Sequence, residues 1–181
     1  VQRIARFLTP AVMATLTRLG FAAVLLPWFL IGGLTKIAGS TLSVGPPAGI
    51  WPLSLGAYHT FLPEVMMRGA VPTAGQHAFV LAMTLSELVL PLLVVIGAFG
   101  RVFAVLLIAH IWIAGLATGH LPGGGNVFDA SPFDPGPDRV VLWSIVLLHV
   151  VAYGVGPLSL DRLIDRLRRG RIPPARRGRD G

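Results

Sequence analysis

Four stretches of the chain are apolar on every side. Residues 19–39, 77–97, 102–119 and 139–156 each run close to the length a helix needs to cross the hydrocarbon core of a bilayer. None shows the one-sided stripe of a soluble helix or the alternation of a half-buried strand. Only Gly100 and Arg101 separate the second stretch from the third, which makes those two antiparallel neighbours. Pro27 falls inside the first stretch, where neighbouring helices can satisfy the carbonyl it frees. The charged start followed by an apolar run has the order of a signal peptide. The run is long for one, and no small-x-small cleavage pattern follows it, so it is read as a retained first helix.

The segments between the spans have a different pattern. Residues 3–18 interleave Arg3, Arg6 and Arg18 with Ile4, Phe7, Leu8, Val12 and Leu16 at three- to four-residue spacing, which predicts a short helix in the membrane interface, bent or begun by Pro10. Residues 40–76 are rich in Pro and Gly but contain Trp51, Tyr58, Phe61 and Leu62, so a short helix or cap folding back on the membrane is expected. Residues 120–138 read as an irregular loop. After the fourth stretch, Ser159 suits an N-cap for a helix with Leu160, Leu163, Ile164 and Leu167 on one face and arginines on the other.

The expected fold is therefore all-α: an integral membrane four-helix bundle over residues 19–158, with an N-terminal interfacial helix (1–18) and a basic C-terminal amphipathic helix and tail (159–181). Composition agrees, since only 13% of residues are charged and the mean hydropathy is +0.73. Arginine placement sets the orientation. Arg3, Arg6, Arg18, Arg101 and the arginines of the tail fall on one side, which is read as cytoplasmic, with loops 40–76 and 120–138 outside. The net charge of +7 owes much to that tail cluster, which suits anionic lipid headgroups rather than nucleic acid. The absence of cysteine excludes disulfides, thiolate metal sites and iron–sulfur clusters.

Three ionisable residues fall near one depth when counted along their spans: Glu87, His110 and His149. Such groups are costly in the membrane and usually face the bundle interior and one another. As a group they form a candidate midplane site for moving a proton to or from a quinone. The competing readings are a hydrogen-bonded carboxyl and two packed imidazoles that only tie helices together, or a haem b held between His110 and His149. Lys36 lies nearer the outer face on a stripe with Gly32 and Gly33, and with Trp112 and Tyr153 it is a weaker candidate for lining a cofactor pocket. No metal site is expected. Asp129, Asp134 and Asp138 sit among turn formers, and Gly123, Gly124 and Gly125 lack the lysine and hydroxyl of a phosphate loop.

Three segments carry a family resemblance. WFLIGGLTKIAG (28–39), SELVLPLLVVIGAFGR (86–101) and GVGPLSLDRLI (154–164) together resemble the DoxX family of small bacterial membrane proteins, which includes the small subunit of thiosulfate:quinone oxidoreductase. The resemblance implies a four-helix membrane fold in the bacterial cytoplasmic membrane and a link to membrane redox or sulfur metabolism. It singles out Lys36, Glu87, Arg101, Ser159 and Asp161, and it does not include His110 or His149. Here GVG stands where the family pattern has GPG, and the 40–76 loop is longer than in compact members. The expected function is a membrane subunit that engages quinone or anchors a partner oxidoreductase, as a homo-oligomer or with other redox proteins. A non-catalytic assembly subunit and a small oligomeric transporter are the alternatives.

Overall fold

The structure is a computed structural model, and it describes residues 9–40, 42, 52–118, 135–154, 156 and 159–169. It is all-helical apart from one isolated β-bridge among these residues. The helices are α1 (Pro10–Leu34), α2 (Leu55–Phe61), α3 (Pro63–Met67), α4 (Ala74–Ile96), α5 (Gly100–Ala117), α6 (Pro135–Tyr153) and α7 (Leu160–Arg169). Three of them, α1, α4 and α5, are long and apolar enough to cross a membrane. The chain is accordingly a multi-pass membrane protein.

The first helix departs from the sequence expectation. An interfacial helix ending at residue 18 was to be followed by a separate span, but α1 runs unbroken from Pro10 to Leu34. Residues 1–8 lie outside the described residues. Thr9 caps the start, its hydroxyl accepting from the Val12 amide at 3.4 Å, and Pro10 takes the first helical position, where its missing N–H costs nothing. The helix then passes through a π-helical turn, Phe21–Leu25, in which the Leu26 amide donates to the Phe21 carbonyl. Pro27 follows directly. Its ring would crowd the carbonyl four residues back, and the wider turn absorbs that conflict without breaking the helix.

The α4–α5 connection is short, as expected, but it is made by residues 97–99; Gly100 and Arg101, read as the turn, already belong to α5. A capping box opens α4, with Thr73 and Gln76 bonded reciprocally. Gly97 closes it in the left-handed conformation (φ +75°). Helix α1 packs on α4 and α6, and α5 lies against both of those helices. Their shared core contains Phe21, Leu25, Phe29, Val94, Leu107, Ile111, Leu147 and Val150. Apolar side chains also cover the outer faces, including Val24, Val105, Leu116, Ile145 and Leu148. A soluble protein rarely exposes so continuous an apolar surface.

The segment after α1 folds back as a cap. Beyond α1 the chain turns at Thr35 and Lys36, and an antiparallel bridge joins Ile37 to Leu53. The Ala38 amide donates to the Pro52 carbonyl at 2.7 Å, and the Ser54 amide donates to the Lys36 carbonyl at 2.9 Å. These bonds bring α2 onto the end of α1. There Leu53, Ala57, Tyr58 and Phe61 form a second core with Val80 and Met83 of α4. Burial pushes the Tyr58 hydroxyl above its ordinary pKa, so it stays protonated, and it shares a hydrogen bond with His77 Nδ1. The 120–134 part of the second loop lies outside the described residues.

Candidate functional site

The most polar point of the interior is an ion pair. Lys36 Nζ lies 2.8 Å from Glu87 Oε2, and both side chains are about nine-tenths buried. Lys36 stands past the end of α1, but its long side chain reaches back along the helix. Its ammonium donates to the Gly32 carbonyl at 2.8 Å and lies 5.4 Å from the centre of the Phe61 ring. The outer-lying lysine and the mid-helix carboxylate, expected at different depths, are thus direct partners.

Two glycines permit this approach. A Cβ on Gly32 would come within 2.5 Å of Glu87 Oε1, and one on Gly33 within 2.5 Å of Leu88. The pair therefore sits where α1 and α4 meet without side chains between them. Gly32→Ala is expected to displace the carboxylate and loosen the helix contact, destabilising the protein by about 1–3 kcal/mol. A thermal melt in mild detergent reads this directly, and an unchanged melting temperature would contradict the close approach.

His110 of α5 faces the same space. Its Nδ1 is 2.8 Å from the Ser86 hydroxyl, which itself donates to the Met83 carbonyl at 2.9 Å. With that hydroxyl proton committed, the imidazole Nδ1–H is the donor in the neutral ring, and Nε2 keeps its lone pair as an acceptor. The Phe29 ring lies edge-on at 6.3 Å.

Lys36, Glu87 and His110 line one cavity of about 160 Å³. Its walls include Phe29, Phe61, Trp28 and Trp143. Trp28 and Trp143 meet edge to face at 5.8 Å, and the Arg139 guanidinium lies 5.0 and 5.4 Å from their ring centres. The described lining therefore holds two cations and one carboxylate in an aromatic enclosure, with a hydrogen-bonding imidazole beside them. Such an enclosure can hold a flat ring against aromatic side chains and direct donors at its oxygens.

The other candidates lie elsewhere. His149 is not among the residues lining this cavity. Its ring packs on that of Tyr153, tilted by 35° with centroids 4.6 Å apart, and its Nε2 is buried without a hydrogen-bond partner among the described residues. The expected trio of Glu87, His110 and His149 is replaced in this cavity by Lys36, Glu87 and His110. The two histidines weighed as haem ligands do not meet there. Trp112 is 40% exposed and its Nε1 donates to Ser144 Oγ at 3.0 Å, which ties α5 to α6 instead of lining the cavity. Tyr153 lies against a different cavity, with Arg101 and Ser159. Among the described residues no three His, Cys, Asp or Glu side chains gather as metal ligands would.

Sequence reasoning missed Ser86, Phe61 and the Arg139 clamp. Ser86 had a signal, since a hydroxyl beside an intramembrane carboxylate is a ready partner for an imidazole. Phe61 comes from the outer segment, and nothing local to it points at Lys36. Comparison with protein-family models, with curated proteins and with solved structures finds no match to this chain.

Proposed function

We propose that this protein is a four-span membrane subunit of a redox system, and that the aromatic cavity at Lys36, Glu87 and His110 engages a quinone. The observation that carries the reading is the buried Lys36–Glu87 pair opening on an aromatic cavity that also holds His110 and Arg139. Helix α6 serves as the fourth span. Helix α7, with exposed Leu160, Leu163, Ile164 and Leu167, lies on the membrane surface. Both chain ends then fall on the arginine-rich, cytoplasmic side. The DoxX-like segments support the same reading, because Gly32, Lys36 and Glu87 from two of them converge on one site. They also support placement in the bacterial inner membrane beside a partner oxidoreductase.

The lining fits such a ligand by its chemistry. Bound quinone supplies two-electron, two-proton redox chemistry, and the chain supplies orientation and protons. Trp28, Phe29 and Trp143 offer faces and edges to a flat ring. The Lys36 ammonium is a donor for a carbonyl oxygen, and the Nδ1–H tautomer of His110 leaves Nε2 as an acceptor. Glu87 is the group able to take or give a proton next to that ammonium. The excess of positive charge in the described lining favours an oxygen that gains negative charge.

Tryptophan emission tests this without a partner enzyme, since quinones quench it on contact. Titrating the detergent-solubilised protein with a short-chain quinone is expected to give saturable quenching that Trp28→Phe and Trp143→Phe each reduce. Quenching that rises linearly, and equally in both variants, would sink the quinone reading. Orientation has its own test. Reporter fusions after Gly56, Arg101, Gly125 and Gly170 should alternate outside, inside, outside, inside, and any other order refutes four spans.

A further inference from the structure

A second cavity, of about 320 Å³, lies at the opposite end of the helices, where α4 turns into α5 and α6 leads into α7. Its charged lining is Arg101 and Arg162, its hydroxyls are those of Ser159 and Tyr153, and no carboxylate is among its described lining residues. The Arg101 guanidinium rests against Gly154: a Cβ there would lie 3.5 Å from Nε, and the residue holds φ +80°. A side chain at that position would crowd the guanidinium and strain the backbone, so the glycine keeps Arg101 on the cavity wall. Ser159 opens α7 with its Oγ accepting from the Arg162 amide at 3.4 Å, which sets Arg162 in the first turn of that helix beside the same space. The first turn of α5 adds its amide end, with no side-chain cap.

Two guanidiniums and a hydroxyl around one cavity are the chemistry of phosphate recognition. The rim identifies the source of the phosphate. Phe99, Val102 and Tyr153 border the cavity and are 72%, 57% and 57% exposed on the outer face of the helices. A free phosphate would leave that apolar border uncovered. A ligand with a phosphate and acyl chains matches both halves.

We propose that this cavity binds one anionic phospholipid, with Arg101 and Arg162 on the headgroup phosphate, Ser159 as a neutral donor, and the acyl chains along Val102 and Tyr153. The site is separate from the quinone cavity and depends only on the protein being in a membrane. It gives the start of α5 and the start of α7 a shared task, holding the amphipathic helix to the ends of the spans through a lipid.

The test uses the whole protein, delipidated in mild detergent and examined by native mass spectrometry with phosphatidylglycerol, phosphatidylcholine or inorganic phosphate. One phosphatidylglycerol should be retained in preference to phosphatidylcholine. Arg101→Gln and Arg162→Gln should each weaken that retention on the order of tenfold. Trp28→Phe should leave it unchanged. Arg101 and Arg162 are both exposed, so both variants are expected to fold. Equal retention of the two lipids, or wild-type retention in Arg162→Gln, would overturn the site. Stabilisation by inorganic phosphate equal to that by phosphatidylglycerol would overturn the lipid assignment. Saturable quinone quenching in Arg162→Gln keeps a failure here distinct from a failure of the quinone reading.

Discussion

Lys36→Met is expected to destabilise the protein by about 3–5 kcal/mol, because it leaves the Glu87 carboxylate buried without its countercharge. The double replacement Lys36→Met with Glu87→Met should recover most of that loss. Removing both charges removes both desolvation penalties, and two apolar side chains of similar length fill the space. Thermal melts of the two single variants and the double variant in one detergent form a closed cycle. Recovery in the double variant, with quinone quenching gone, would show that the pair is kept for its ligand and not for the fold. A double variant no more stable than either single one would instead mean that the pair is needed to hold α1 against α4. Glu87→Gln, the obvious test of a proton role, is less clean than the sequence implies. In the structure it also leaves the Lys36 ammonium unbalanced, so loss of activity alone would not identify a proton step. Comparing its stability with that of the double variant separates the two effects.

Gly97→Ala is expected to be a strongly damaging methyl addition at the opposite end of the helices. The residue holds φ +75°, where a side chain is strained by about 1–2 kcal/mol. A Cβ there would also come within 2.7 Å of the Ser159 Cβ and 3.2 Å of its Cα. Backbone cannot yield as a flexible side-chain tip does, and crowding of this kind adds about 1–3 kcal/mol. The α4–α5 turn and the start of α7 should therefore separate. A melt lowered to the same degree as by Gly75→Ala, where nothing lies within 4 Å, would show that this contact is not tight.

Much of the architecture was legible before any coordinates. The α4 and α5 spans, the short turn between them and the helix after Ser159 follow from apolar length, Gly97 and capping chemistry, all of which act within a few residues. The first boundary was misplaced because Arg18 reads as an interfacial charge. Within the fold it is buried, and the helix continues through it. Glu87 stood out because an ionisable group is costly in an apolar span, and that cost is local to the residue.

Its partner could not be read the same way. Counting residues placed His149 level with Glu87 and Lys36 above it, but counting fixes only depth along the membrane normal. Which helix faces which, and how far a flexible side chain reaches, depend on packing. The Gly32–Gly33 contact sets α1 against α4, and the Lys36 side chain folds back to the Gly32 carbonyl. His149, level with Glu87 by that count, packs against Tyr153 and does not line the cavity. The second cavity shows the same division. The sequence by itself determined that Arg101 stands at the junction of two spans and that Ser159 starts a helix, since both follow from chain-local rules. Only the tertiary structure decided that these two residues, 58 positions apart in the chain, line one space, because closure over that distance is set by how whole helices pack.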